Sequence, residues 1–241
     1  MRKVPARLLK DVATATAATA GSAGAGWAAY NYLNGQAKTA RTVIPHRTDN
    51  APNGDGIYEP GGVGPLRVGR DAHPDIHLMI FGDSTAAGLG ADNADETPGV
   101  QLARAVAEET GKQVRLSTKA IVGATSKGLS GQVDAMLIAG NKPDVAVILV
   151  GANDITAVNN PWASARRLGD AVERLRESGA AVVVGTTPDL GVVKAIPQPL
   201  RSVLREYGRR LAHAQRTEVL RGGGHPVPLA DLLSHEFLQA P

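Results

Sequence analysis

The sequence predicts an α/β domain built on a parallel sheet of about five strands, with helices on both faces. From residue 76 onward, short apolar runs alternate with longer segments of mixed polarity. The runs are apolar throughout rather than at every second position, which is typical of strands buried on both faces. In addition, the first three runs each lead into a loop that contains glycine and small polar residues.

The predicted elements alternate regularly along the chain. The strands are Ile76–Phe81, Gln113–Ala120, Val145–Val150, Ala180–Thr186 and Val227–Leu229. The helices lie near Val100–Thr110, from the loop at Gly123 to about Ala139, across Pro161–Ser178 and near Gln198–Arg221. Thr97-Pro98 is a helix start signal, and Gly111 is a stop signal. Residues 75–241 are therefore predicted to form the main domain.

Residues 1–41 are predicted to be an N-terminal signal or membrane-anchor segment. Residues 1–10 contain four basic side chains, and residues 12–37 contain no charge, which is the order found in signal peptides. The uncharged run is long enough to span a bilayer but poor in leucine, so an alanine-rich soluble helix or a disordered leader is the alternative. The positive-inside rule would place the body outside the cell. We therefore expect an exported or membrane-anchored protein that faces outward, with a cytoplasmic location as the alternative.

Residues 42–74 are rich in proline and glycine. That composition predicts a linker, or a loop lying on the domain, and not a core element. The linker would separate the N-terminal segment from the domain.

Composition argues against several classes of function. Residues 1–48 carry a net charge of +6 and the remainder carries −3, so the basic character belongs to the N-terminal segment. The chain shows no basic stripe interleaved with aromatic residues, so we expect no nucleic-acid binding. It contains no cysteine, which excludes disulfides, thiol catalysis and cysteine-based metal sites. We also expect no other metal site and no cofactor.

Three predicted loops carry the chemistry. They are Gly82-Asp83-Ser84, Gly123-Ala124-Thr125-Ser126 and Gly151-Ala152-Asn153-Asp154, and each follows a predicted strand. The carboxyl ends of parallel strands meet at one edge of a sheet, where ligands bind. A serine hydroxyl, a glycine N–H and an asparagine amide can converge there. That set suits ester or amide cleavage, in which Ser84 attacks and the N–H donors stabilise the oxyanion.

These motifs resemble those of a known enzyme family. Gly82-Asp83-Ser84 resembles block I of the SGNH, or GDSL, hydrolases, Gly123 resembles block II, and Gly151-x-Asn153-Asp154 resembles block III. The resemblance covers roughly residues 75–235. It implies a flavodoxin-like three-layer α/β/α fold and ester hydrolysis, with Ser84 as nucleophile and Ser84 N–H, Gly123 N–H and the Asn153 side chain as oxyanion hole. The leader and linker are similar to those of exported actinobacterial members.

One part of the family pattern is absent from the sequence. The family's last block is Asp-x-x-His, which supplies the general base, and no such motif follows block III here. The candidate bases are His225, which precedes a proline, and His235, which follows Asp231 with one residue too many between them. Both histidines fit the final strand and the loop after it better than a catalytic position, so our hypothesis is that the chain is C-terminally incomplete and that the base lies beyond Pro241.

The sequence thus predicts a serine hydrolase that cleaves acyl or acetyl esters through an acyl-enzyme on Ser84, without a cofactor. The expected partners are a small-molecule, lipid or glycan ester and, through residues 12–37, a membrane. Two alternatives stay open. One is a non-catalytic ligand-binding domain that keeps the pocket but lacks the base. The other is an acyltransferase, in which a sugar or lipid hydroxyl replaces water.

Overall fold

A computed structural model describes residues 31–33, 35–36, 50–69 and 72–232. Within them lies a seven-stranded sheet. Its strands are β1 Gly56–Glu59, β2 Val63–Leu66, β3 Ile76–Gly82, β4 Val114–Thr118, β5 Val145–Leu149, β6 Ala181–Gly185 and β7 His225–Val227. The α-helices that follow β3 are α1 Ser84–Ala87, α2 Pro98–Thr110, α3 Ser126–Ile138, α4 Ala152–Thr156, α5 Pro161–Glu177 and α6 Leu200–Arg221.

The chain divides into two compact units, one of residues 1–46 and 193–202 and the other of residues 47–192 and 203–241. The sheet belongs to the larger unit. In the smaller unit, the Gln36 side chain accepts a hydrogen bond from the Leu200 N–H at 3.0 Å and donates one to the Gln198 carbonyl.

The strand order is β2-β1-β4-β3-β5-β6-β7. The five strands from β4 to β7 are parallel, whereas β1 is antiparallel to both β2 and β4. The parallel part has the flavodoxin-like order. From β3 the chain first adds β4 on one side and then β5, β6 and β7 on the other, so the strand order reverses between β3 and β5. Loops at the carboxyl ends of these two strands therefore border the crevice where such sheets bind ligands.

The predicted parallel sheet is confirmed, with two further strands at its edge. The five predicted strands correspond to β3–β7, and the ends differ by a few residues, for example Gln113–Ala120 in the prediction and Val114–Thr118 in the structure. Thr97 caps α2 and Gly111 ends it with φ +66, as the sequence signals indicated.

The linker prediction for residues 42–74 is wrong for Gly56–Leu66, which form the hairpin of β1 and β2. β1 pairs with β4, and the side chain of Tyr58 is fully buried against the core. Its hydroxyl donates to the Gly54 carbonyl at 2.6 Å, so the polar end of the ring is also satisfied. Burial of one large ring and pairing with β4 hold this proline- and glycine-rich segment on the sheet.

The core consists of two apolar layers on opposite faces of the sheet. Met79 and Phe81 of β3 face one layer, and Leu78 and Ile80 face the other. The first layer is completed mainly by α3 and α5, and the second mainly by α2 together with β1. This is the three-layer α/β/α arrangement that the resemblance implied.

Each edge strand of the described sheet is short and contains a proline. β2 has four residues and includes Pro65, and β7 has three residues and includes Pro226. Proline within sheets is found at such positions because it cannot donate a hydrogen bond to a neighbouring strand.

Across the described part of the chain, no helix is both long and apolar enough to cross a membrane. The predicted signal or anchor segment, residues 1–41, falls almost wholly outside the described residues. The interpretation of residues 12–37 therefore stays a prediction.

Candidate active site

Ser84 lies at the turn that follows β3. It is the first residue of α1 and is half-buried, and Asp83 caps the helix by accepting the Thr85 N–H at 2.9 Å. Among the described residues, neither the Ser84 hydroxyl nor the Ser84 N–H has a hydrogen-bond partner. The first N–H groups of a helix have no acceptor within the helix, so the Ser84 N–H is available to a ligand.

Gly82 allows this turn to form. Its φ is +134, and a Cβ at this position would lie 1.9 Å from the Leu149 carbonyl oxygen on β5. A side chain is therefore excluded by both the backbone conformation and the space. The Asp83 N–H donates to the same Leu149 oxygen at 3.0 Å, which holds the serine turn against the end of β5.

Gly123 lies in a tight turn between β4 and α3. The Ala124 N–H donates to the Ile121 carbonyl at 3.0 Å, and Gly123 has φ +82, the conformation that makes glycine the favoured residue in type II turns. The Ile121 N–H donates to the Gly82 carbonyl at 3.1 Å, so the turn is attached to the end of β3. Within the described ranges, the Gly123 N–H has no acceptor, and Gly123 is exposed.

Asn153, in α4, reaches this turn from the β5 side. Its side-chain nitrogen donates to the Ala124 carbonyl at 2.9 Å, and the residue is half-buried. An amide nitrogen carries two hydrogens, so this bond fixes the group and leaves one N–H for a ligand. The structure therefore joins the Gly123 turn to Asn153 directly and joins both to the serine turn through backbone bonds.

Asp83 and Asp154 connect the three loops and do not face an open site. Asp83, which is almost fully buried, also accepts the Gly151 N–H at 3.3 Å. Asp154 is equally buried and accepts four hydrogen bonds. These come from the N–H and hydroxyl of Ser126, the hydroxyl of Ser164 and the amide of Asn159, at 2.7–3.1 Å. A buried carboxylate with this many donors is a structural group.

Burial raises the pKa of the Asp83 carboxyl above its ordinary value, and the N–H groups of Thr85 and Gly151 offset that effect only in part. The negative charge of Asp154 acts in the same direction as burial. Asp83 is therefore protonated more readily than a surface aspartate. Protonation would weaken the bond from the Gly151 N–H, which holds the serine turn to the loop after β5, and the bond from the Thr85 N–H, which caps α1.

Two buried glutamines, which sequence reasoning missed, hold the ends of the strands. Gln132 on α3 accepts the Gly82 N–H at 2.8 Å and donates to the Gly82 carbonyl at 2.7 Å. Gln215 on α6 accepts from the N–H and hydroxyl of Thr187, at 2.8 and 2.9 Å, and donates to the Val150 carbonyl at 2.9 Å. No local sequence signal marks either residue, because their partners lie 28–65 residues away.

Among the described residues, the candidate base His225 has no hydrogen bond to Ser84. His225 is the first residue of β7 and pairs with Val183, whereas Ser84 follows the far end of β3, three strand spacings or about 14 Å away across the sheet. This separation argues against His225 as the base, and the assignment stays a prediction. His235 lies outside the described residues. Asp231 is exposed and lines a cavity of about 310 Å³ at the carboxyl ends of β6 and β7, which His213 also lines.

A hydroxyl and three N–H donors are thus held on loops connected to one another at the carboxyl edge of the sheet. The hydroxyl is that of Ser84, and the donors are the N–H groups of Ser84 and Gly123 and the Asn153 amide. This arrangement can place a nucleophile beside donors that stabilise a negatively charged oxygen.

Sequence comparison relates the chain to a family of lipases and acylhydrolases. The family model described as "GDSL-like Lipase/Acylhydrolase family" matches residues 80–241. A protein of Mycobacterium tuberculosis named GDSL-like esterase Rv1075c is 57% identical over 232 residues, which cover 95% of this chain and 74% of that protein.

Solved structures share the fold. AlinE4, an SGNH-hydrolase family esterase, superposes with a TM-score of 0.54 at 19% identity, covering 66% of this chain and 78% of its own. TesA superposes with a TM-score of 0.53 at 22% identity, covering 68% of this chain and 94% of its own. At these identities the likeness supports the three-layer fold alone.

Proposed function

The chain belongs to the GDSL-like lipase/acylhydrolase family, and on that premise we propose that it hydrolyses carboxylic esters through an acyl-enzyme on Ser84. One observation carries the proposal. Among the described residues, the Ser84 hydroxyl, the Ser84 N–H and the Gly123 N–H have no hydrogen-bond partner, although the loops that hold them are firmly bonded to each other. Unpaired donors on rigid loops are what an oxyanion hole requires.

In the first step, Ser84 Oγ attacks the carbonyl carbon of the ester, and its proton passes to a general base. The carbonyl oxygen becomes an oxyanion that accepts hydrogen bonds from Ser84 N–H, Gly123 N–H and the Asn153 amide. The tetrahedral intermediate then expels the alcohol, which takes the proton from the base. Water, activated by the same base, attacks the acyl-enzyme and releases the acid and Ser84.

The identity of the base stays a prediction. His235 with Asp231 is the candidate within the chain, and Asp231 lies at the carboxyl edge of the sheet, where an orienting carboxylate would be needed. Replacing His235 by asparagine is expected to lower kcat sharply if it is the base. Unchanged hydrolysis by that variant would remove His235 from the mechanism.

The test is hydrolysis of p-nitrophenyl acetate by the full chain beside Ser84→Ala. The variant is expected to lose acyl-enzyme turnover, because alanine has no hydroxyl to attack the ester. Ser130→Ala is a matched control, since Ser130 is exposed on α3. Hydrolysis that survives Ser84→Ala would refute the proposal. Asn153→Ala is expected to lower kcat by about 10²–10³, the usual effect of losing one oxyanion donor.

A non-catalytic ligand-binding domain is the second candidate. It is favoured by one observation, that none of the histidines in the described ranges hydrogen-bonds to Ser84. Saturable ester binding by the wild-type chain, with no hydrolysis beyond that of Ser84→Ala, would support this candidate against the enzyme.

We also propose, from the charge pattern of residues 1–41 alone, that the protein is exported or anchored with its domain facing outward. Fractionation of the producing cells tests this. Recovery of the full chain solely from the cytoplasm would contradict it.

A further inference from the structure

Two exposed apolar side chains lie immediately before Gly123. The exposed fraction is 58% for Ile121 and 51% for Val122. Single exposed apolar residues are common on protein surfaces and need no explanation. These two are adjacent, however, and they belong to the turn whose N–H is a proposed oxyanion donor.

The turn that carries this pair is held at both ends. The Ile121 N–H donates to the Gly82 carbonyl at 3.1 Å, which attaches the pair to the residue two positions before Ser84. At the other end, Asn153 donates to the Ala124 carbonyl at 2.9 Å. The backbone that carries the apolar pair is therefore bonded to the serine turn and to Asn153.

We propose that Ile121 and Val122 contact the acyl chain of the substrate and select short apolar acyl groups. The proposal rests on the proposed ester hydrolysis. When the carbonyl oxygen accepts the Gly123 N–H, the acyl chain starts at the same carbonyl carbon. Its first methylenes then lie next to the residues that precede Gly123, where burial against Ile121 and Val122 removes them from water.

The size of the apolar pair limits the length of acyl chain that it can contact. Consecutive Cα atoms are about 3.8 Å apart, so two side chains offer contact to about four to six carbons. The apolar segment is bounded by the exposed Lys119 on one side and by Thr125 on the other. We therefore expect hexanoyl esters to be preferred to acetyl esters, with no further gain for longer chains.

The first test compares p-nitrophenyl acetate with p-nitrophenyl hexanoate, using the full chain and the double variant Ile121→Ser/Val122→Ser. Each methylene removed from water raises kcat/KM by a factor of about four. We expect the hexanoate-to-acetate ratio of kcat/KM to fall by about tenfold or more in the variant. Ile138→Ser is the matched control, because Ile138 is 87% exposed at the far end of α3, and its ratio should equal that of the wild type. A ratio within twofold of wild type in the double variant overturns the proposal.

The second test does not depend on turnover. Methyl NMR of Ser84→Ala protein, titrated with sodium hexanoate and with sodium acetate, reports contact directly. Hexanoate is expected to shift the methyl signals of Ile121 and Val122 and to leave that of Ile138 unchanged, and acetate to shift none of them. Equal shifts at Ile121 and Ile138 overturn the proposal. Selective shifts without Ser84-dependent hydrolysis would support the acyl-binding surface while refuting the proposed function.

Discussion

Replacing Gln132 by methionine is expected to destabilise the domain, because one side chain satisfies both backbone groups of Gly82. Gln132 is 4% exposed, and its amide accepts the Gly82 N–H and donates to the Gly82 carbonyl. Methionine has a similar length and fills the space, but it cannot form these bonds. The substitution therefore removes hydrogen bonds with little change in packing.

The size of the effect follows from what each backbone group retains. The Gly82 N–H would lose its partner and stay buried, which costs about 1–3 kcal/mol. The Gly82 carbonyl would keep the Ile121 N–H at 3.1 Å. Its loss is therefore limited to one ordinary hydrogen bond, about 0.5–1.5 kcal/mol. Together the free energy of unfolding should fall by about 2–4 kcal/mol, a large part of the stability of a typical domain.

The assay is urea-induced unfolding of the full chain, followed by circular dichroism. Gln101→Met is the matched control, since Gln101 is exposed on α2 and its amide donates to the Asp95 carbonyl at the surface. Loss of an exposed hydrogen bond should change the free energy of unfolding by less than about 1 kcal/mol. A value for Gln132→Met that equals the control would refute the reasoning.

Gln132→Glu tests the same two hydrogen bonds to Gly82 by a change of pH. A protonated glutamic acid can donate to the Gly82 carbonyl as glutamine does, whereas a carboxylate opposes that oxygen. Burial and the carbonyl should raise the pKa of this glutamate above that of the unfolded chain. Its stability should then be greatest at low pH and be lost as pH rises through the raised pKa. A variant whose stability, relative to wild type, does not change between pH 4 and pH 7 would contradict this.

Three further predictions follow from the structure. Gly82→Ala should lower the free energy of unfolding by at least about 3 kcal/mol, because its Cβ would lie 1.9 Å from the Leu149 oxygen; urea unfolding measures this. His77 is within 3.0 Å of the Ser117 hydroxyl, and burial, followed by the charge of a nearby arginine, lowers the pKa of its imidazole. The folded chain favours the neutral form of His77. The contribution of His77 to stability is therefore complete above the imidazole pKa of the unfolded chain, about 6.5, and it is lost as the pH falls through the lowered pKa of the folded chain. Wild type should therefore lose more stability than His77→Gln when unfolding is measured at pH 7 and then pH 5. His225→Asn should keep kcat/KM for p-nitrophenyl acetate within about twofold, because His225 is three strands away from β3.

Each of these predictions has a result that contradicts it. Gly131→Ala is the control for Gly82→Ala, because a Cβ at Gly131 meets nothing within 4 Å and alanine favours a helix. Equal unfolding curves for the two variants would contradict the prediction for Gly82. For His77, stabilities of wild type and variant that change in parallel with pH would show that the imidazole does not cause the loss of stability at low pH. For His225, a loss of activity of tenfold or more would restore it as a candidate base.

The parallel sheet could be predicted because its strands are apolar without interruption. Residues 145–149 and 181–185 show this pattern, and the structure places both as central strands. The serine loop, the Gly123 loop and the Asn153 loop could be predicted as neighbours because each follows such a strand. The strand order of a parallel sheet then brings their ends to one edge.

The hairpin of β1 and β2 could not be predicted in the same way. Its strands have four residues each, and the prolines and glycines around them have the composition of a loop. The signal that could have indicated it is the adjacent pair Ile57-Tyr58, two large apolar residues in a row within a segment rich in glycine and proline. Gln132 was missed for a different reason. A glutamine in a helix is usually exposed, and its burial depends on a backbone 50 residues away.

The prolines of the two edge strands affect how folded copies of this chain meet each other. An open sheet edge can pair with the edge of another molecule, and such pairing leads to aggregation. Pro65 in β2 and Pro226 in β7 each remove one N–H from a strand of only four or three residues. Neither edge of the described sheet therefore presents a continuous row of donors long enough to template an intermolecular strand. This protection comes from the backbone chemistry of two residues and is independent of the loops that carry Ser84 and Asn153, so substitutions at either residue leave it intact.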